Sequence, residues 1–302
     1  MNIFITGGAG YLGTELVELL AQKPDVKNIT VYDNLSRGNY NLFLGPGRLN
    51  GKLKLINGDV LDSRQLRKVL QGVDVIYHLA AKVTTPYANT DPHYFEQVNH
   101  WGSAEVVSAA EERKVNKFIF VSSTSVYGNS DNPVNEKSDN NPVSYYGVSK
   151  SRAEEQVRRL FAKSSTYIYR CANVYGFSRS MRFDSVINKF MFEAHFSNRI
   201  TIQGSGNQAR PFIHVRRVVQ QLADALHDNK PSGVYNLAER NLSVAEIASG
   251  LREIYPGLDN LYVNPHIISP SLRLELPDNN TAPDFSADLA EFKNQFSFYA
   301  GQ

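Results

Sequence analysis

Three features follow one another at the start of this chain, and their order leaves few folds open. An apolar run, Asn2-Ile3-Phe4-Ile5, leads into Thr6-Gly7-Gly8-Ala9-Gly10-Tyr11-Leu12-Gly13. A helical pattern then places Leu12, Leu16, Leu19 and Leu20 on one face. A strand, a glycine turn and a helix N-terminus together form a pyrophosphate cradle. Gly7 lets the turn close, Gly10 lets backbone approach the phosphates, and Gly13 lets the helix pack against the strand. The helix start supplies free N–H groups and the positive end of a dipole.

A glycine turn alone is a weak signal, and the next strand strengthens it. The apolar run Ile29-Thr30-Val31-Tyr32 ends at Asp33, twenty positions after Gly13. A carboxylate there suits the hydroxyls of an adenosine ribose and repels a 2′-phosphate, so NAD is favoured over NADP. Arg37 keeps NADP open, and the plainer reading of Asp33 is a turn residue capping a strand.

Strand and helix patterns alternate through the first half. Lys52–Asn57, Val73–Ala81, Lys117–Ser123 and Thr166–Val174 read as strands. Between them, Leu66, Val69 and Leu70 mark a short helix, and Phe95–Arg113 and Tyr145–Lys163 mark long ones. This rhythm predicts an α/β fold, a doubly wound parallel sheet covered on both faces. After Gly176 the pieces shorten. Helices are expected over Asp184–Ser197, Val218–His227 and Ser243–Ile254, with extended pieces at Ile200–Gln203, Phe212–Val215 and Val234–Ala238. The stretch Pro265 to Pro283 reads as irregular. The expected division is a dinucleotide-binding domain over 1–175 and a smaller α/β substrate-binding region over 176–302, with segments such as 212–240 interleaved into the first.

Bulk properties narrow the function. Net charge is +2 without a long basic run, which gives no case for nucleic acid or an anionic membrane. No apolar stretch reaches membrane-spanning length, and the N-terminus reads as a core strand rather than a signal peptide. The single cysteine, Cys171, excludes an intrachain disulfide and a cysteine-based zinc site, and no metal is expected. A reducing, cytoplasmic setting is the expectation.

Chemistry enters at Tyr146-Gly147-Val148-Ser149-Lys150. Tyrosine and lysine four apart share a helix face. A phenol titrates near 10, and a neighbouring ammonium favours the phenolate, making a usable acid/base. Ser123, at the C-terminal end of a strand, faces the crevice where ligands bind such sheets and can hydrogen-bond a reacting oxygen. The plainer readings are an exposed helix pair and a serine-rich turn that satisfies its own backbone.

With the glycine turn, Asp33, the strand ending at Ser123 and Tyr146/Lys150 in this order, the chain resembles the extended short-chain dehydrogenase/reductase family. It looks most like the nucleotide-sugar epimerases and dehydratases of that family, which have Rossmann folds. Supporting segments are Asp33-Asn34-Leu35-Ser36-Arg37-Gly38, Gly58-Asp59-Val60, His78-Leu79-Ala80-Ala81 and Ser144-Tyr145-Tyr146-Gly147-Val148-Ser149-Lys150. The resemblance implies that Ser123, Tyr146 and Lys150 are catalytic. It puts Asp59 and Val60 at the adenine, Ala80, Ala81 and Lys82 along the pyrophosphate and ribose, and Asn99 as a brace for the active-site helix. Tyr11, Leu12, Asn34, Leu79 and Ser122 complete the implied cofactor set. On the substrate side it implies Thr84, Thr124, Asn173 and Gln203, with Arg210 on the nucleotide diphosphate and Arg273 as a second phosphate ligand. Asp59, Asn99 and Lys82 each also read as a turn residue, a helix-surface residue and a solvated charge. Relatives pair through two long helices, so a homodimer is expected through Phe95–Arg113 and Tyr145–Lys163.

Three departures bear on the reaction. Where the family's dehydratases carry an Asp-Glu pair and its decarboxylases a Glu, this chain has Thr124 and Ser125. A hydroxyl cannot replace a carboxylic acid in proton transfer at neutral pH, so dehydration and decarboxylation are disfavoured. Arg216 and Arg217 stand at an expected helix start, against its dipole, either binding an anion or simply tolerated. The sequence stops soon after Phe296-Ser297-Phe298, where relatives continue, from which a reduced substrate lid is expected. The leading expectation is an NAD-dependent C4 epimerase of a nucleotide-diphosphate hexose, working through a transient 4-keto sugar. The alternatives are an NAD(P)H-dependent 4-ketosugar reductase and a non-catalytic NAD(H)-binding protein.

Overall fold

A computed structural model describes residues 1–44, 51–83, 91–266, 270–277 and 284–296. The first strand, β1 (Asn2–Thr6), is buried on both faces, with Ile3 and Ile5 on one side and Phe4 on the other. Helix α1 (Tyr11–Ala21) follows the glycine turn and returns the chain to β2 (Asn28–Asp33). β3 (Leu53–Asn57), α2 (Ser63–Val69) and β4 (Val75–His78) continue the alternation. The long helix expected over Phe95–Arg113 is composite. It runs through α3 (Pro92–Phe95), a π-helical stretch (Glu96–Trp101) and α4 (Gly102–Arg113). Then come β5 (Lys117–Ser123), α5 (Tyr145–Arg158) and β6 (Ser165–Cys171).

The strand expected over Thr166–Val174 divides at Ala172. There the chain leaves the main sheet, and β7 (Asn173–Tyr175) joins a second one. The later elements are α6 (Val186–Ser197), β8 (Arg199–Gln203), β9 (Ala209–His214), α7 (Val215–Asp224), β10 (Gly233–Leu237), β11 (Arg240–Ser243), α8 (Val244–Ile254), β12 (Asp259–Val263) and α9 (Phe285–Lys293). The main sheet has seven strands, all parallel, in the order β10-β6-β5-β4-β1-β2-β3. β10 therefore comes back from beyond residue 176 to extend the edge beside β6.

Two cores cover the sheet. On one face Leu16, Val17 and Leu20 of α1 and Val218 and Leu222 of α7 pack with Ile3, Ile5 and Ile119. On the other, Leu66, Val106, Val107, Ala153 and Val157 pack with Phe4, Phe118 and Phe120. Each large apolar side chain so enclosed contributes about 2 kcal/mol. A third core joins Ile187, Phe190 and Met191 of α6 to Ile247, Leu251, Leu289 and Phe292. Antiparallel β11 and parallel β7 flank β9, and β12 pairs with β8. No described helix is long and apolar enough to cross a membrane.

Candidate active site

The glycine turn lies at the C-terminal edge of the main sheet, between β1 and α1. Gly7 has φ +70°, and a Cβ there would stand 2.6 Å from the Ala80 amide nitrogen. A Cβ on Gly13 would stand 2.5 Å from Gly8 Cα, so Gly13 is set by the turn itself rather than by the strand behind it. Gly10 caps α1 with extended backbone and no side-chain acceptor, leaving first-turn N–H groups for a ligand. Asp33 closes β2. Its carboxylate accepts the Ala9 N–H at 3.0 Å and the Leu35 N–H at 2.8 Å, so it orders the turn while facing the crevice. Asn34 donates to Asp59 at 3.0 Å, and Asp59 also accepts the Leu61 N–H. Arg37 donates to the Val83 carbonyl and lies 3.8 Å from Asp184.

These groups open onto a crevice of about 580 Å³. Every residue proposed for the cofactor lines it except Asn99, which sits behind the wall. Asn99 lies fully buried in the π-helical stretch, a local unwinding often found at functional sites. Its side chain accepts the Lys82 N–H at 2.8 Å and donates to the Lys82 carbonyl and to Ser149 Oγ. It is thus a brace between the loop after β4 and helix α5, not a surface residue.

Ser123, Tyr146 and Lys150 converge on the same crevice. Ser144 caps α5 by accepting the Gly147 N–H, which fixes Tyr146 in the first turn. Burial raises the Tyr146 phenol, while the Arg182 charge and the Ser123 hydroxyl act to lower it. Lys150, expected to tune that phenol, donates instead to the Val121 carbonyl at 2.8 Å, with Nζ 4.7 Å from the Phe120 ring centre. Burial pulls Lys150 down to about 8, against the opposing influence of Cys171 and Glu154. Ser123 Oγ donates to Ser125 Oγ and accepts the Ser125 N–H, so it also orders its own turn. Ser122 turns its hydroxyl away, to buried Glu154 at 2.6 Å. Glu154 in turn pairs with buried Arg170 at 2.6 Å.

The substrate residues divide. Asn173 and Gln203 line the crevice, and Asn173 donates to the Pro211 carbonyl. Arg210 does not line it, since its guanidinium donates to the Ala209 and Pro270 carbonyls. Thr124 is buried outside the lining, and Arg273 is exposed elsewhere. Thr84 lies outside the described residues. Sequence reasoning missed Arg182, Asp184, Lys189 and Gln208, which line the crevice from the segment before α6, from α6 itself and from the loop before β9. Nothing in the local sequence marks the first three, and Gln208 lies in the segment that drew attention to Arg210. Cys171, read above only as a lone cysteine, also lines the crevice, its thiol pushed up to about 12 by burial.

Arg216 and Arg217 are held by acids. Arg216 pairs with Glu291, and Arg217 pairs with Glu239 and with Asp288 at 2.5 Å. Among the described residues no group of His, Cys, Asp and Glu could hold a metal ion.

Comparison with known proteins agrees with this geometry. The model of the NAD dependent epimerase/dehydratase family matches residues 3–238. Human dTDP-D-glucose 4,6-dehydratase is 31% identical over 264 residues, covering 84% of this chain and 73% of that protein. The UDP-N-acetylglucosamine 4-epimerase from Methanobrevibacter ruminantium, solved in complex with UDP-N-acetylmuramic acid, superposes with a TM-score of 0.85 at 25% identity and 97% coverage of both chains. MoeE5, solved with UDP-glucose and NAD, superposes with a TM-score of 0.80 at 26% identity, covering 97% of this chain and 98% of that one.

Proposed function

This chain belongs to the NAD dependent epimerase/dehydratase family, and we propose that within it the protein epimerises C4 of a nucleotide-diphosphate hexose. The observation that carries this reading is the meeting of Ser123, Tyr146 and Lys150 in one crevice with the glycine turn. The residues fit a dinucleotide. No side chain on Gly7 would leave room beside Ala80, and Asp33 presents a carboxylate where a ribose diol is recognised. Gly10 and the first turn of α1 would hold the pyrophosphate, and Lys150 the nicotinamide ribose. When bound, NAD supplies reversible hydride transfer.

The chain's own groups handle the proton. Tyr146 would take the C4 hydroxyl proton and later return it. Its buried phenol resists ionisation, and the positive charge of Arg182 favours the phenolate. Ser123 would hydrogen-bond the same sugar oxygen as its charge changes. Thr124 and Ser125 bring no carboxylic acid to the position used by the family's dehydratases, which supports epimerisation over loss of water. Incubating the protein with UDP-glucose, or with its N-acetylamino analogue, and NAD⁺ far below the sugar concentration provides the test. Many turnovers per NAD⁺ support the reading. Oxidation of added NADPH on a 4-ketosugar, without epimer formation, would replace it by reduction.

A further inference from the structure

His78 ends β4 with no exposed surface and belongs to none of the groups assigned above. Counting hydrogens fixes its state. The Ser103 hydroxyl has one proton and gives it to the Asn99 carbonyl at 2.5 Å. Its 2.8 Å contact with His78 Nε2 therefore needs the hydrogen on Nε2. A neutral imidazole then offers a lone pair at Nδ1, which accepts the Thr6 hydroxyl at 2.6 Å. Thr6 Oγ1 in turn accepts the Ala80 N–H at 3.2 Å. Every donor and acceptor in the chain is used once. Burial, aided by the Lys150 charge, holds the ring neutral, near a pKa of 3. His78 stacks at 5.4 Å on Phe120, the ring that also receives Lys150 Nζ.

Both ends of this chain reach the crevice. Thr6 immediately precedes Gly7, and Ala80 is the residue against which Gly7 closes. At the other end Asn99 donates to Ser149 Oγ at 3.0 Å, and Ser149 Oγ donates to the Tyr146 carbonyl at 2.9 Å. We propose that His78, as its Nε2–H tautomer, is a positioning residue that ties the glycine turn to the catalytic helix through Thr6 on one side and Ser103, Asn99 and Ser149 on the other. This rests on the proposed reaction only where a turnover rate is measured.

Nitrogen-15 shifts of the His78 ring in the full-length protein report the tautomer directly. An Nε2–H signal is expected, and an Nδ1–H signal would overturn the assignment. His78→Phe keeps an aromatic ring and removes both hydrogen bonds. It should weaken NAD⁺ binding about tenfold by calorimetry and lower kcat more than it changes KM, while His78→Gln, which keeps an N–H near Nε2, recovers most of the loss. In a Ser149→Ala background the His78→Phe effect should shrink, because the two act through one chain. A folded His78→Phe protein with wild-type NAD⁺ affinity, or strictly additive losses, would refute the proposal. Should His78→Phe not fold, Ser103→Ala decides, because it breaks the chain between His78 and Asn99 by removing the Nε2–H acceptor and the bond to the Asn99 carbonyl, and leaves the imidazole in place. A fall in kcat at constant KM supports the role, and an unchanged kcat refutes it. A wild-type protein that binds NAD⁺ but processes no sugar would sink the epimerase reading and leave the tautomer and affinity measurements to decide His78.

Discussion

Lys150 carries a cost that can be measured without any substrate. Its side chain is almost wholly buried, and burial brings its pKa from 10.5 to about 8. Holding it charged at neutral pH therefore costs roughly 3 kcal/mol relative to the unfolded chain. The sign comes from proton counting. Between pH 8 and 10.5 the unfolded state binds more protons at this site than the native state, so stability rises with pH through that window. From pH 7.5 to 9.5 the penalty should fall by about 2 kcal/mol. Cys171 works the other way above pH 9, since burial raises its thiol in the folded state. The clean measurement is thus the difference between wild type and Lys150→Met, urea-unfolded at several pH values. The substitution removes the titration and keeps a long apolar stem, at the expense of the hydrogen bond from Lys150 to the Val121 carbonyl. The wild type should gain on the variant by about 2 kcal/mol over those two pH units. A constant difference would mean that Lys150 is not desolvated as its surroundings imply.

Tyr146→Phe should lower turnover by about 10²–10⁴-fold while NAD⁺ affinity stays, measured by steady-state kinetics and calorimetry, since only the proton-transferring atom is lost. Gly7→Ala adds a Cβ 2.6 Å from Ala80 N at φ +70°; denaturant unfolding should show a loss of about 2 kcal/mol or more, and NAD⁺ binding should fail. Arg217→Met leaves the largely buried Glu239 and Asp288 without their shared cation, and should destabilise the protein by about 3 kcal/mol with no change in inorganic phosphate binding. A loss of phosphate binding with stability intact would restore the anion-site reading of that arginine. Arg170→Leu strands Glu154 in the interior and should cost about 3–5 kcal/mol by urea unfolding.

What was legible in the sequence was chemistry confined to one turn or one helix face. The glycine turn declares itself by its spacing: Gly10 and Gly13 answer to neighbours within the turn, while Gly7 closes on Ala80 in the loop after β4 and Gly8 on Val31 of β2. Tyr146 and Lys150 share a face by helical spacing alone. Asp33 is legible from its place at the end of the second strand, and its plainer reading does not exclude the other, since one carboxylate both orders the turn and faces the crevice.

Long-range partners set the arginines that were misread. The doublet Arg216-Arg217 looks unfavourable at a helix start until α9 brings Asp288 and Glu291 beside it, more than seventy positions later. Burial raises Asp288, yet the hydrogen bonds from Arg217 and Tyr175 outweigh it and hold the carboxylate below its usual range. Its contribution is therefore present at neutral pH and fades as acid protonates it. Arg210 fails in the opposite direction. The family resemblance puts it on a nucleotide diphosphate, but two backbone carbonyls take its guanidinium. Arg182, without any local mark, is the cation that acts on Tyr146, because the chain leaves the main sheet after β6 and the segment that follows β7 lines the crevice. A charge that opposes the upward shift of the Tyr146 phenol thus comes from beyond the point where the strand breaks, and no motif at residue 182 marks it.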